Sequence, residues 1–172
     1  MVSITRAGYE RTTERQLYLL ELEDPGDIAA VRDMPDPYFA CFIAWDARNA
    51  STEAVAAVVK RLLDAGAAYI STWGPDCNRV HDIADEIRSP VGESGDRTDS
   101  VVMTTWHENE SLEDALWFFL FNTFPDGSFE QTTRSGLAVI VGNRDWGAVI
   151  PGGLRDPEAF AARTLKNETR DV

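Results

Sequence analysis

Between Tyr38 and Gly74 the chain reads as an apolar run, a polar break, an amphipathic segment, a glycine and a second apolar run. The first run, YFACFIAW, is apolar at every position, as a strand buried on both faces must be. The segment after it places Val55, Val58, Val59, Leu62 and Leu63 at i, i+3, i+4, i+7 and i+8, one face of a helix. Ser51 is positioned to cap that helix, and Gly66 to end it in the left-handed conformation. The second run, AAYISTWG, closes a strand–helix–strand unit, which forces the two strands parallel.

The rest of the chain repeats the alternation. Asp76 stands where it can cap a helix that runs to about Arg88 and buries Val80, Ile83, Ala84 and Ile87. SVVMTTWH (100–107) reads as a third buried strand and GLAVIVG (136–142) as a fourth. Ser111 with Asp114 three residues on resembles a capping box that starts a third helix. Pro151-Gly152-Gly153 breaks the chain before a terminal helix from Pro157 to about Leu165. The expected fold is an α/β three-layer sandwich, Rossmann-like or flavodoxin-like. It has a mainly parallel sheet of four core strands, further edge strands, and helices on both faces.

QLYLLELE (16–23) reads as an edge strand, and Asp24-Pro25 as the start of a short helix. Residues 1–37 are therefore read as an N-terminal extension packed on a domain of residues 38–166, with a polar tail at 167–172. SPVGESGDRTD (89–99) has the composition of a mobile exposed loop. The stretch around Asn143 to Ile150 fits either a tight hairpin return or a short helical turn.

Charge narrows the partners. A net charge of −13 with only two lysines argues against nucleic acid and anionic membranes, whose recognition needs cations. No apolar run approaches the roughly 20 residues of a membrane span, and the N-terminus lacks the apolar core of a signal peptide. A bacterial source and a cytoplasmic location are expected. Cys41 and Cys77 form no disulfide framework.

In sheets of this kind ligands bind beyond the carboxyl ends of the strands. The expected core strands end in Trp45-Asp46-Ala47-Arg48, Trp73-Gly74-Pro75-Asp76-Cys77, Trp106-His107-Glu108 and Asn143-Arg144-Asp145-Trp146. Each segment carries a tryptophan and an acid. Asp46, Arg48, Trp73, Asp76, Trp106, His107, Asn143 and Arg144 are the expected ligand-binding residues. The chain has no G-x-G-x-x-G, P-loop or G-x-S-x-G motif, so no nucleotide cofactor or serine nucleophile is implied.

Three sharper readings each face a plainer one. Cys77 opens a helix with His81 one turn on, a possible thiolate nucleophile and its base, yet it also lies on the buried stripe. Cys77, His81, His107, Glu108 and Asp46 include metal-ligand types without motif spacing, so no metal is expected. Paired acids among Asp46, Asp76 and Glu108 would suit a hydrolase, whereas helix caps and chance placement among 29 acids explain them as well. Cys77, His107 and Glu108 are the catalytic candidates. The helix through Trp117-Phe118-Phe119-Leu120-Phe121 is read as core under residues 17–33, the alternative being a homodimer interface.

YFACFIAW followed by an acid resembles the opening of TIR-type domains. No later segment carries a matching motif, so nothing further is inferred from that resemblance. The leading expectation is a non-catalytic domain that binds a small molecule or protein partner at the strand ends. Its rivals are a hydrolase using a metal or Cys77, and an acidic protein that binds a basic partner.

Overall fold

The computed structural model describes residues 2–88, 101–142 and 145–168, apart from the side chains of Arg32, Asp33 and Glu168. Among the described residues six strands form one sheet: β1 (Thr5–Glu10), β2 (Arg15–Leu22), β3 (Tyr38–Trp45), β4 (Ala67–Trp73), β5 (Met103–Trp106) and β6 (Thr133–Val141). Their order is β1-β2-β6-β3-β4-β5, and every neighbouring pair except β1–β2 is parallel. The expected α/β class, largely parallel sheet and two-sided helical cover are present.

Two cores hold the layers together. On one face, α1 (Thr52–Asp64), α2 (Cys77–Arg88) and a 3₁₀ segment (Pro25–Asp33) bury Val55, Val58, Leu62, Val80, Ile28 and Val31 against the sheet. On the other, α3 (Leu112–Asn122), α4 (Val149–Arg155) and α5 (Pro157–Glu168) bury Leu116, Phe119, Ile150, Leu154 and Phe160. Capping follows the sequence: the Ser51 and Ser111 hydroxyls accept from the N–H of Ala54 and Asp114, both at 3.1 Å. Gly66 ends α1 at φ +107°, and a Cβ there would stand 1.9 Å from the Pro37 carbonyl oxygen.

Several expectations need correction. β2 is not an edge strand. It lies between β1 and β6, because residues 16–45 are themselves a strand–crossover–strand unit, and the polar N-terminus supplies the edge as β1. β5 is the opposite edge rather than a buried core strand, with Met103 39% and Trp106 51% exposed. A short apolar run looks alike in both settings.

Pro151-Gly152-Gly153 does not break the chain; it lies within α4. Pro151 falls in the first turn, where its missing N–H is an orphan anyway. Gly153 lets α4 approach α3 closely, since a Cβ there would be 2.7 Å from Leu116. The aromatic helix α3 is covered by the sheet, α4 and α5. Of residues 17–33, only β2 side chains such as Leu17 and Leu19 reach that face; the 3₁₀ segment lies on the other. The expected loop at 89–99 and the end of the tail lie outside the described residues.

Candidate functional site

Because β2 through β6 all run the same way, their carboxyl ends share one rim. That rim has two unlike halves. In the half built by β3, β4 and β5, the side chains singled out from sequence are spent on one another.

After β3, Asp46 takes three bonds from Arg48, from Nε at 2.9 Å, Nη2 at 2.6 Å and the backbone N–H at 3.3 Å. Those hydrogen bonds from Arg48 hold the Asp46 carboxyl below its ordinary range. After β4, Gly74 at φ +113° brings the turn against β3, where a Cβ would stand 2.4 Å from the Trp45 carbonyl oxygen. Asp76, also left-handed at φ +66°, does not cap α2 in the manner expected; it accepts from Arg79 Nε at 2.6 Å. Arg79 Nη2 then donates to the carbonyls of Ala47 and Ala50, the latter at 3.0 Å, and the Ala47 N–H donates to Pro75 O at 3.0 Å. One guanidinium thus ties the loop after β3 to the loop after β4.

Cys77 opens α2 but is only 1% exposed. Burial pushes its thiol up, and the Glu108 carboxylate adds to this, against backbone N–H groups of His107 and Asn78 that favour the thiolate. His81 is engaged elsewhere: Nε2 with the Thr104 hydroxyl at 3.2 Å, Nδ1 with Asp82 at 3.2 Å, and its ring against Trp106. The Cys77–His81 pairing suggested by helical spacing is therefore replaced by a buried thiol and a histidine bound to β5.

His107 is buried as well. Its Nδ1 meets Glu110 Oε2 at 2.8 Å, its Nε2 meets the Thr105 hydroxyl at 3.3 Å, and its ring packs on Phe118. Thr105 also shares a hydrogen bond with the buried Tyr69 hydroxyl, whose pKa burial raises. His81 thus joins α2 to β5 through Thr104, and His107, just after β5, packs on α3 through Phe118. Trp45 is in the core, and Trp73 donates to Glu110 O at 2.9 Å and meets Trp146 edge-on at 5.0 Å. Trp106 and Glu108 are exposed. Asn143 and Arg144 lie outside the described residues.

The other half of the rim is open. At the carboxyl ends of β2 and β6, beside the start of β1, is a cavity of about 860 Å³. Leu19, Leu22 and Ile140 supply apolar wall, and Glu21, Glu23 and Asp27 supply carboxylates. The chain leaves β2 for the α1 face, through the 3₁₀ segment, and leaves β6 for the α3 face, through α4. That divergence makes a topological switch point, the kind of place at which such sheets form a crevice.

Sequence reasoning missed these residues. The signal was present in 16–45, whose strand, Asp24-Pro25 helix start and second strand imply a parallel β2 with Glu23 at the rim. Among the described residues, no group of three or more His, Cys, Asp and Glu side chains could hold a metal ion. Nor is any helix among them long and apolar enough to cross a membrane.

No curated protein shows significant sequence similarity to the chain. Residues 17–150, from β2 through the entry to α4, match a family described as a domain of unknown function (DUF7684), and the chain belongs to that family.

Proposed function

We propose that this chain is a binding module that takes a small ligand or a partner's side chain into the crevice at the carboxyl ends of β2 and β6, without carrying out a reaction. The observation that carries the reading is the coincidence of the 860 Å³ cavity with the switch point between those strands. We read the fold accordingly as a flavodoxin- or Rossmann-like variant that uses the usual end of its sheet. Asp46, Arg48, Trp73, Asp76, Trp106 and His107 form the neighbouring, interlocked part of the same rim.

The carboxylates of Glu21 and Asp27 favour a basic group on whatever enters. A basic protein partner is thus the second form of the reading, in keeping with a net charge of −13. A hydrolase reading draws no support from Cys77, a buried thiol. It would have to run through His107, which Glu110 orients. We read α3 as core rather than as a homodimer face, because α4 and α5 lie over it.

Native mass spectrometry of the purified protein, set against its denatured mass, tests this. The expected result is an adduct of constant mass that is lost in Thr5→Trp, which fills the crevice from the exposed edge strand while leaving the melting temperature in place. An adduct kept in that variant, or turnover abolished by His107→Gln, would overturn the reading.

A further inference from the structure

A second concavity lies at the opposite end of the sheet. The amino ends of β2 and β6, with the loop entering β6, enclose about 350 Å³, within the range of small-ligand sites. Its lining includes Arg15, Arg134, Thr12, Gln131, Phe124 and Pro125.

Arg15 is the unusual member. It is 4% exposed, and its two Nη groups donate to Thr123 at the end of α3, to the hydroxyl at 2.7 Å and the carbonyl at 2.6 Å. Those bonds satisfy the helix terminus. The Arg15 Nε is also buried and has no partner. Burial brings the guanidinium down to about 10, although the Glu10 charge opposes this. Glu10 itself is occupied by the N–H of Thr12 at 2.7 Å and by the N–H and hydroxyl of Thr13, both at 2.6 Å. A buried cation is left with an unspent donor beside a pocket.

The remaining lining fits an anion with an apolar body. Among the described residues the Arg134 side chain is bound to Glu14, at 2.9 Å, in an exposed pair that exchanges partners at little cost. Thr12 and Gln131 add neutral donors. Phe124 is an exposed aromatic ring next to Pro125. With Glu130 in the lining, Glu14 on Arg134 and Glu10 beside Arg15, an entering carboxylate replaces Glu14 on Arg134 charge for charge, which suits a monoanion better than a dianion. An anion there would offset the cost of burying Arg15.

We propose that this amino-end pocket binds a small organic monoanion, a carboxylate on a flat apolar body. Arg134 takes the carboxylate, Arg15 supplies charge behind it, and Phe124 and Pro125 receive the apolar part. The site is separate from the crevice at the other rim and stands whether or not that reading holds.

The probe is benzoate, titrated by calorimetry into the whole chain with chloride exchanged to hold ionic strength constant. Saturable binding is expected, weakened about tenfold or more in Arg134→Gln, as loss of a charge-assisted contact implies. Acetate should bind much more weakly, for lack of a ring to place on Phe124. Arg15→Lys risks the fold, so the exposed Arg134 decides the question. Absence of saturation, equal affinity in Arg134→Gln, or equal affinity for acetate would each overturn the proposal. Thr5→Trp, at the opposite rim, should leave benzoate binding unchanged.

Discussion

The two halves of the carboxyl-end rim were built from similar material and ended differently. The β3–β4–β5 half holds tryptophans, acids, arginines and both histidines, and almost all are bonded to one another or packed in the core. The β2–β6 half holds two glutamates, an aspartate and aliphatic wall, and these line a cavity of about 860 Å³. A density of chemically versatile residues at strand ends is thus no measure of an open site. Where neighbouring connections leave by the same face, as after β3 and β4, the loops touch and their polar groups close on each other. After β2 and β6 the connections leave by opposite faces, and space is left between them.

The strongest way to break this contrast is to remove the clasp of the interlocked half. Arg79→Met deletes one charge-assisted bond to Asp76 and two bonds to carbonyls of the loop after β3. The methionine keeps most of the packing stem. A loss of about 2–3 kcal/mol is expected from urea unfolding, since partly buried acceptors are left unpaired. A loss below about 0.5 kcal/mol would mean the loops are held by packing alone, and that the two halves differ less than their bonding suggests.

The buried thiol gives a smaller, pH-dependent effect. Cys77 has a folded-state pKa raised above its unfolded value, mainly by burial. Its stabilising contribution is therefore complete below the unfolded thiol value near 8.5 and declines as pH rises toward the folded one. Between about pH 8.5 and 10 the protein should lose stability with a slope of at most about 1.4 kcal/mol per pH unit per thiol. Cys41, buried in β3 and shifted the same way, contributes likewise. Cys77→Ala should flatten the alkaline slope, as read from urea midpoints across that range. An unchanged slope would show that Cys77 ionises in the folded chain, which would return it to consideration as a nucleophile.

How legible was this arrangement? The unit from β3 to β4 was readable throughout, because a period of 3.6 between two apolar runs, with Ser51 and Gly66 at the helix ends, admits one local answer. β2 and β5 exchanged roles because an eight-residue apolar run carries no mark of its neighbours. Whether it is central depends on where β6 inserts, more than a hundred residues from β2. α4 was hidden by Pro151 and two glycines, which read as breakers until α3 is there for Gly153 to approach. For the site, the strand-end rule named a rim, and the described side chains at those strand ends do stand along it. The side chains there looked available because sequence does not show that Arg79 reaches back to Ala47, or that His81 and His107 both turn to β5. Glu21, Glu23 and Asp27 were passed over because β2 was taken for an edge.

The smallest expected effect sharpens the comparison from within the interlocked half. Asp46 and Arg48 are as close as Asp76 and Arg79, with the same 2.6 Å contact, but they clasp each other at the surface and reach no second loop. Asp46 is held below its ordinary range by Arg48, so any stability it supplies is present above about pH 4 and lost as acid titrates it. Screening by solvent leaves little to lose, and Asp46→Asn should melt within about 1–2 °C of the parent at neutral pH. A drop as large as that of Arg79→Met would show that the pair braces the loop after β3, and that short contact alone suffices to close a rim. The expected null result would leave closure of the loops after β3 and β4 to Arg79, which spans both.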